Sequence, residues 1–453
     1  MKLTISSLCA AMTLATLSSA SYAQDLLEVY QKALTNDPIV LQAQAQRDSL
    51  YSQIETSRAP LLPSLSANVG YGKSWTDVNN DNNATYNIGG FTGGVTLNQV
   101  IYNHSAWVGL SLAEKSASQA DASYASALQS LIIRVTNAYF DVLSAKDALV
   151  FQQAEVAAIG RQLEQTKQRF VVGLTAITDV HEAQAQYDLA RAQEILAENT
   201  LQNSYQALQE ITGIDYDSIN LLDTQRFSAV KPAPDSSNEW LKMAETNSID
   251  LLIQRIAKEI ATEQISLAKA GHLPSLNLNA GYNTNYDRNG SNNAPGGLND
   301  SGTANVGLQL SVPIFEGFKV SSQVDQAQFN FVNASEKLEQ TYRATVKNIR
   351  NNFNNVDASI SSIRAYEQTV ISSESALKAT QAGFEVGTRT IVDVLNSTRN
   401  LYNSKRQLSD ARYSYIKSIL ALKQAAGTLT EADVVTINNG LSADTTTTLP
   451  AQP

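Results

Sequence analysis

The chain has 453 residues, a net charge of −10 and one cysteine. An acidic balance argues against nucleic-acid binding, which wants a basic surface. Only 17% of residues are charged, against a usual value of roughly 25%, and polarity comes instead from Gln, Asn, Ser and Thr.

Near the start, Lys2 is followed by an apolar stretch from Leu8 to Leu17 and by small residues ending in Ser21, Tyr22 and Ala23. This pattern predicts a secretory signal, 1–23, cleaved after Ala23. Cleavage removes Lys2 and no acid, taking the net charge from −10 to −11. Cys9 lies inside the apolar stretch, without the context of a lipid-attachment cysteine. Its removal leaves a mature chain with no disulfide and no thiolate metal site. After the signal no apolar run approaches the ~20 residues of a membrane-spanning helix. An exported chain of this kind enters a membrane only as a β-barrel.

Asn36-Asp37-Pro38 is a helix start signal, with proline in the first turn. The helix runs to about Arg58, and Ala59 to Pro63 ends it. Period-two alternation follows at Leu65, Ala67, Val69 and Tyr71. An Asn/Asp-rich loop from Thr76 to Thr85 separates it from Tyr86 and Ile88; after a glycine-rich irregularity the alternation resumes at Val95 and Leu97. The same arrangement recurs at Leu276, Leu278, Ala280 and Tyr282. A Gly/Asn loop from Asp287 to Ser301 precedes Ala304, Val306, Leu308, Leu310 and Val312. These are two hairpins with strands of about 10–13 residues, long enough to cross a bilayer when tilted. Tyr71, Trp75, Tyr86, Tyr102, Tyr282, Tyr286 and Phe315 fall near strand ends, as in interfacial aromatic girdles. A soluble antiparallel sheet with ordinary aromatic packing fits the strands taken alone.

No proline interrupts Ser64 to Lys231 or Ile314 to Leu449, which permits very long helices. His104 to Val172 and Gly317 to Val386 each read as a helix of roughly 100 Å at 1.5 Å per residue. Apolar steps of three and four, at Val156, Ile159, Leu163, Thr166 and Phe170, form a coiled-coil seam. The same steps recur at Val370, Ser373, Leu377, Thr380 and Phe384. Each long helix ends in one short stretch, RFVVGLTAITDV and then GFEVGTRTIVDV, with Phe170 and Phe384 214 positions apart. Gly173 and Gly387 suit the left-handed residue that closes a helix. Thr390 followed by Asp393 resembles a capping box. Return helices run from Ile177 to about Thr212 and from Ile391 to about Ala426. LPSLSANVGYG recurring as LPSLNLNAGYN shows that the whole mature chain is two copies of a unit of about 210 residues.

This gives helical segments 24–60, 104–213, 236–271 and 317–427, and strand hairpins 61–103 and 272–316. Linker regions are 214–235 and 428–440, and 441–453 reads as a disordered tail. Four strands per chain are too few for a membrane barrel, whose edges must all be paired. If they are membrane strands, several copies share one barrel, and three copies give twelve strands.

Export signal, strand hairpins, tandem units and the VGLTAITDV and VGTRTIVDV tips together resemble the TolC family of bacterial outer-membrane efflux ducts, as do Asp410-Ala411-Arg412-Tyr413 and Ala426-Gly427-Thr428-Leu429. The resemblance covers essentially the whole mature chain. It implies a homotrimer with a twelve-stranded β-barrel in outer-membrane lipid and a long α-helical coiled-coil barrel through the periplasm. It also implies docking of a periplasmic adaptor protein and an inner-membrane pump, with export of drugs, bile-salt-like compounds or proteins, and no catalysis or cofactor. The adaptor would meet the tips at Val172, Gly173, Leu174, Val386, Gly387 and Thr388. The gate links carried over are Gln168, Thr178, Asp179, Phe384 and Arg389, with Arg389 bonding Thr178 and Asp179 of a neighbouring hairpin. Asp393 and Asn396 take the pore-ring positions. Two departures stand out: Phe384 replaces the family's tyrosine, and Asn396 replaces its second ring aspartate. Both predict a weaker latch and weaker cation block, with Asp393 the one full acidic ring. Mutual repulsion in that ring is expected to raise its apparent pKa.

For Asp179 and Asp393 the plainer role is capping, since a carboxylate in the first turn of a helix is favoured there. The three histidines, His104, His181 and His272, are far apart, and His181-Glu182 lacks the second histidine of a zinc hydrolase motif. There is no GxSxG elbow and no phosphate loop. The alternative to a duct is a trimeric coiled-coil adhesin or envelope spacer without a lumen.

Overall fold

A computed structural model describes residues 24–78, 84–287 and 301–442. The signal segment with Cys9, parts of both hairpin loops and the tail from 443 lie outside the described residues.

Helix α1 (Leu26–Asn36) gives way to α2 (Pro38–Arg58) at Asp37, whose carboxylate accepts from the Val40 N–H and whose own N–H bonds the Ala33 carbonyl. Asp37-Pro38 therefore ends one helix and starts the next. A short 3-10 turn leads into β1 (Ser64–Val78) and β2 (Ala84–Asn103). The side chain of Asn103 then caps α3 (His104–Val171), which runs 68 residues through Gly109 and Gly160 without a break. Helix α4 (Ile177–Thr212) returns and closes on Gly213 in the left-handed conformation. The second unit repeats the order with α5 (Ser237–Asn247), α6 (Ile249–Ala270), β4 (Ser275–Asp287), β5 (Ser301–Ser311), α7 (Lys319–Glu385) and α8 (Ile391–Ala425). A two-residue strand β3 (Leu221–Leu222) between the units pairs with β6 (Leu441–Ser442), which follows α9 (Glu431–Asn438). The first two residues of the 441–453 segment are thus held in a small sheet.

The large sheet is antiparallel in the order β1-β2-β4-β5, so the two hairpins join through β2 and β4 while β1 and β5 are open edges. Leu65 stands opposite Leu97, Leu97 opposite Ala280, Ala280 opposite Val306, and Val95 opposite Tyr282. Directly opposed residues share a face, so these apolar side chains form one continuous face. Leu65, Val69, Tyr71, Val95, Tyr282, Val306, Leu308 and Leu310 are all exposed. The opposite face carries Asn68, Thr96, Gly281 and Asn305. No described helix is long and apolar enough to cross a membrane, whereas this sheet has the apolar and polar faces of a barrel wall. The fold expected from the sequence is borne out.

The strands are longer than predicted: β1 has 15 residues and β2 has 20. Pairing runs straight through the glycine-rich stretch of β2. At Gly94 a Cβ would lie 2.2 Å from the Asn283 Oδ1 and 2.9 Å from the Asn68 Oδ1. The glycine makes room for amides on both neighbouring strands and does not interrupt the ladder.

The main core sits where α1, α5, α9 and the small sheet wrap the middle of α3 and the distal part of α8. Tyr139, Phe140, Leu143, Ile349, Leu420 and Leu422 are buried there. Two polar anchors fix it. Arg134 donates to both carboxylate oxygens of buried Asp37, at 2.8 and 2.6 Å. Tyr139 Oη donates to the Asn220 carbonyl at 2.8 Å.

Candidate functional site: the paired helical tips

The two tips share one backbone. At the first, Gly173 N–H donates to the Phe170 carbonyl and Leu174 N–H to the Arg169 carbonyl, at 2.9 and 2.8 Å. At the second, Gly387 N–H donates to Phe384 and Thr388 N–H to Gly383, at 3.1 and 2.8 Å. Both are Schellman closures, with the glycines at φ +77° and +79°. At Thr390 the predicted capping box is present: its hydroxyl receives the Asp393 N–H, and the Asp393 carboxylate receives the Thr390 N–H at 2.9 Å. The first tip lacks that box. Its cap residue is Ala176, and the Asp179 carboxylate instead accepts from the Thr175 hydroxyl.

Equivalent residues have different surroundings. Phe170 is 41% exposed and Phe384 8%; Ile177 is 45% exposed and Ile391 2%. A second core explains the difference. Val156, Ile159 and Leu163 of α3 and Ala183 and Ala190 of α4 pack against Phe384, Ile391, Val394 and Leu395. The second tip is seated on the α3–α4 hairpin, and the first tip keeps Phe170, Val172, Leu174 and Ile177 outward. The first seam is buried from Val156 to Thr166 and opens at Phe170.

Two residues that sequence reasoning missed fix the seating. Arg169 lies over the Phe384 ring, 4.6 Å from its centroid. Gly383 occupies the repeat position of Arg169, and a Cβ there would lie 2.7 Å from the Arg389 Cγ. The missing side chain lets the Arg389 stem lie against α7. The Arg169/Gly383 mismatch in the aligned tips was the available signal.

The predicted gate residues are not all brought together within one chain. Gln168 donates to Glu164 on its own helix at 2.9 Å. Arg389, Thr178 and Asn396 are exposed. Val172, Leu174, Val386, Gly387 and Thr388 are likewise exposed at the tip. Within the chain, the Thr390 backbone N–H, then its hydroxyl, holds the Asp393 carboxyl below its ordinary value. That opposes the rise expected from a carboxylate ring. No group of three or more His, Cys, Asp or Glu among the described residues could hold a metal.

Above the tips, α3 and α8 are joined by hydrogen bonds involving the sequence-marked 410–413 stretch. Ser144 donates to Asp410 and Tyr413 to Asp147, each at 2.6 Å. Burial raises the Asp147 pKa, against the opposing pull of the Tyr413 and Ser409 hydrogen bonds. Arg399 reaches across from α8 to the Gln186 side chain on α4.

The outer membrane efflux protein family matches residues 29–214 and 240–428, one match to each tandem unit. The chain belongs to this family. It is 50% identical over 432 residues to the outer membrane protein TolC of Vibrio cholerae, covering 94% of this chain and 96% of that protein. It is 29% identical over 420 residues to the alkaline protease secretion protein AprF of Pseudomonas aeruginosa, covering 91% and 86%. The CmeC outer membrane channel of Campylobacter jejuni superposes with a TM-score of 0.78 at 17% identity, covering 98% of each chain. This TolC-like chain is an outer-membrane efflux and secretion duct extending into the periplasm. Family membership removes the lumenless spacer.

Proposed function

We propose that three copies of the chain close one barrel and one tunnel, and that the six tips form its gate. The observation that carries this is the pair of open edges, β1 and β5, on a sheet with one apolar face. An exposed edge must be paired in lipid, and β5 of one copy pairing with β1 of the next closes twelve strands. The outward face of the first tip then receives the next copy, and Arg389 bonds Thr178 and Asp179 across that boundary. Asp393 faces the axis and Asn396 lies one turn farther on the same helix.

The duct is passive. A periplasmic adaptor engages Val172, Gly173, Leu174, Val386, Gly387 and Thr388, an inner-membrane pump supplies the energy, and docking unseats the tips. AprF is named for alkaline protease secretion, which supports proteins as well as small molecules as cargo. Electron microscopy of detergent-extracted particles viewed end-on tests the assembly: a three-fold ring with a central hole is expected, and a particle without a hole overturns it.

A further inference from the structure

A cavity of about 550 Å³ opens between α3, α4 and α8, with Glu155 and Arg399 in its lining. Glu155 is 17 residues before Val172, roughly 25 Å from the tip at 1.5 Å per residue. Its residues take no part in the gate described above.

Glu155 is only 6% exposed. Among the described residues its carboxylate accepts no hydrogen bond and has no ion-pair partner within 4 Å. A largely enclosed carboxylate is stabilised by a donor that enters the cavity it lines. Burial pushes its pKa up, and the charges of Arg399 and Arg406 offset only part of that. The two arginines line the same cavity, two turns apart on α8. Each is bonded to a neutral amide oxygen: Arg399 donates to Gln186, and Arg406 to the Asn403 Oδ1 at 3.0 Å. Neither forms an ion pair with a carboxylate among the described residues. Phe151 and Tyr402 supply aromatic surface beside them.

A simple anion would suit the arginines and be repelled by Glu155. A simple cation would suit Glu155 and be repelled by two guanidinium groups. One small molecule carrying both an anion and a donor satisfies all three. We infer that this cavity binds a small aromatic acid, with its carboxylate on Arg399 and Arg406 and a phenolic O–H or amine N–H donated to Glu155. The volume lies within the range of ordinary small-molecule sites, roughly 300–1,000 Å³. Arginine matches a carboxylate with two parallel donors, and the aromatic walls take the ring.

The test is calorimetric titration of the intact detergent-extracted protein with 4-hydroxybenzoate and with benzoate. One molecule per chain is expected, with the hydroxylated acid bound roughly tenfold tighter, the effect of one hydrogen bond to a charged group. Arg406→Gln weakens both acids by roughly tenfold or more. Glu155→Leu abolishes the preference and leaves benzoate bound at least as tightly as in the wild type. Sedimentation and bilayer conductance establish that each variant is assembled. No saturable binding, binding unchanged in Arg406→Gln, or a preference that survives Glu155→Leu overturns the site. A protein that conducts and does not bind refutes this inference alone and leaves the duct standing.

Discussion

Arg169 of the first tip covers the ring of Phe384 of the second, 4.6 Å from the centroid. Phe384 has no hydroxyl to donate, and its stabilisation comes through the face of its ring and the apolar residues around it. A guanidinium over an aromatic face contributes about 0.5–2 kcal/mol. Arg169→Gln is expected to lose about 1 kcal/mol of that seating. Hydrogen exchange at 383–391 should quicken and spontaneous openings in a bilayer become more frequent. Phe384→Tyr, which keeps the ring and restores the hydroxyl of the expected latch, should hold the tip at least as firmly. Equal exchange rates in wild type and Arg169→Gln would show that the stack is incidental.

Arg389 is exposed within one chain, its stem lying along Gly383. Its proposed partners are on the neighbouring copy. Arg389→Ser should therefore raise conductance and antibiotic leakage without lowering the melting temperature of the assembled protein. Unchanged conductance together with unchanged leakage removes Arg389 from the gate.

Asp393 distinguishes a cap from a ring. Thr390 holds its pKa below the ordinary carboxylate value. A depressed folded pKa gives stability that is fully present above the unfolded value and lost as pH falls through the folded one. The first turn of α8 should therefore stay protected from hydrogen exchange until pH drops below the ordinary carboxylate range. A midpoint above that range would mean that repulsion between three carboxylates outweighs the cap. Block by divalent cations should disappear in Asp393→Ala, and block that persists rejects the ring.

Asp37 is buried, and two hydrogen bonds from Arg134 hold it. Burial pushes its pKa up, but Arg134 and the Val40 N–H outweigh that and leave it lowered. The pair's contribution is thus complete above the ordinary aspartate value and falls away as pH drops through the lowered one. Asp37→Asn leaves Arg134 without its charge partner and should cost about 3 kcal/mol. Its melting temperature should also lose part of the acid sensitivity of the wild type. A variant as stable as wild type at neutral pH would contradict this.

Much of this molecule could be read in the chain. The tip glycines, the Thr390–Asp393 box and the ends of α2, α3 and α4 follow from local rules, because a helix end is decided within a few residues. The extent of β2 was not legible: Gly94 resembles a break until the amides of Asn68 and Asn283 are seen filling its space. Nor was the unequal burial of Phe170 and Phe384. Their local sequences match, and what separates them is the packing of α8 on α3 and α4, a contact between units more than two hundred residues apart.

In the proposed assembly the open edges of the sheet close into a barrel only when copies of the chain share it. Recording from the purified protein in a planar lipid bilayer tests this most directly. A discrete, long-lived conductance is predicted, enlarged by Arg389→Ser; a protein that inserts yet gives no discrete conductance would contradict it.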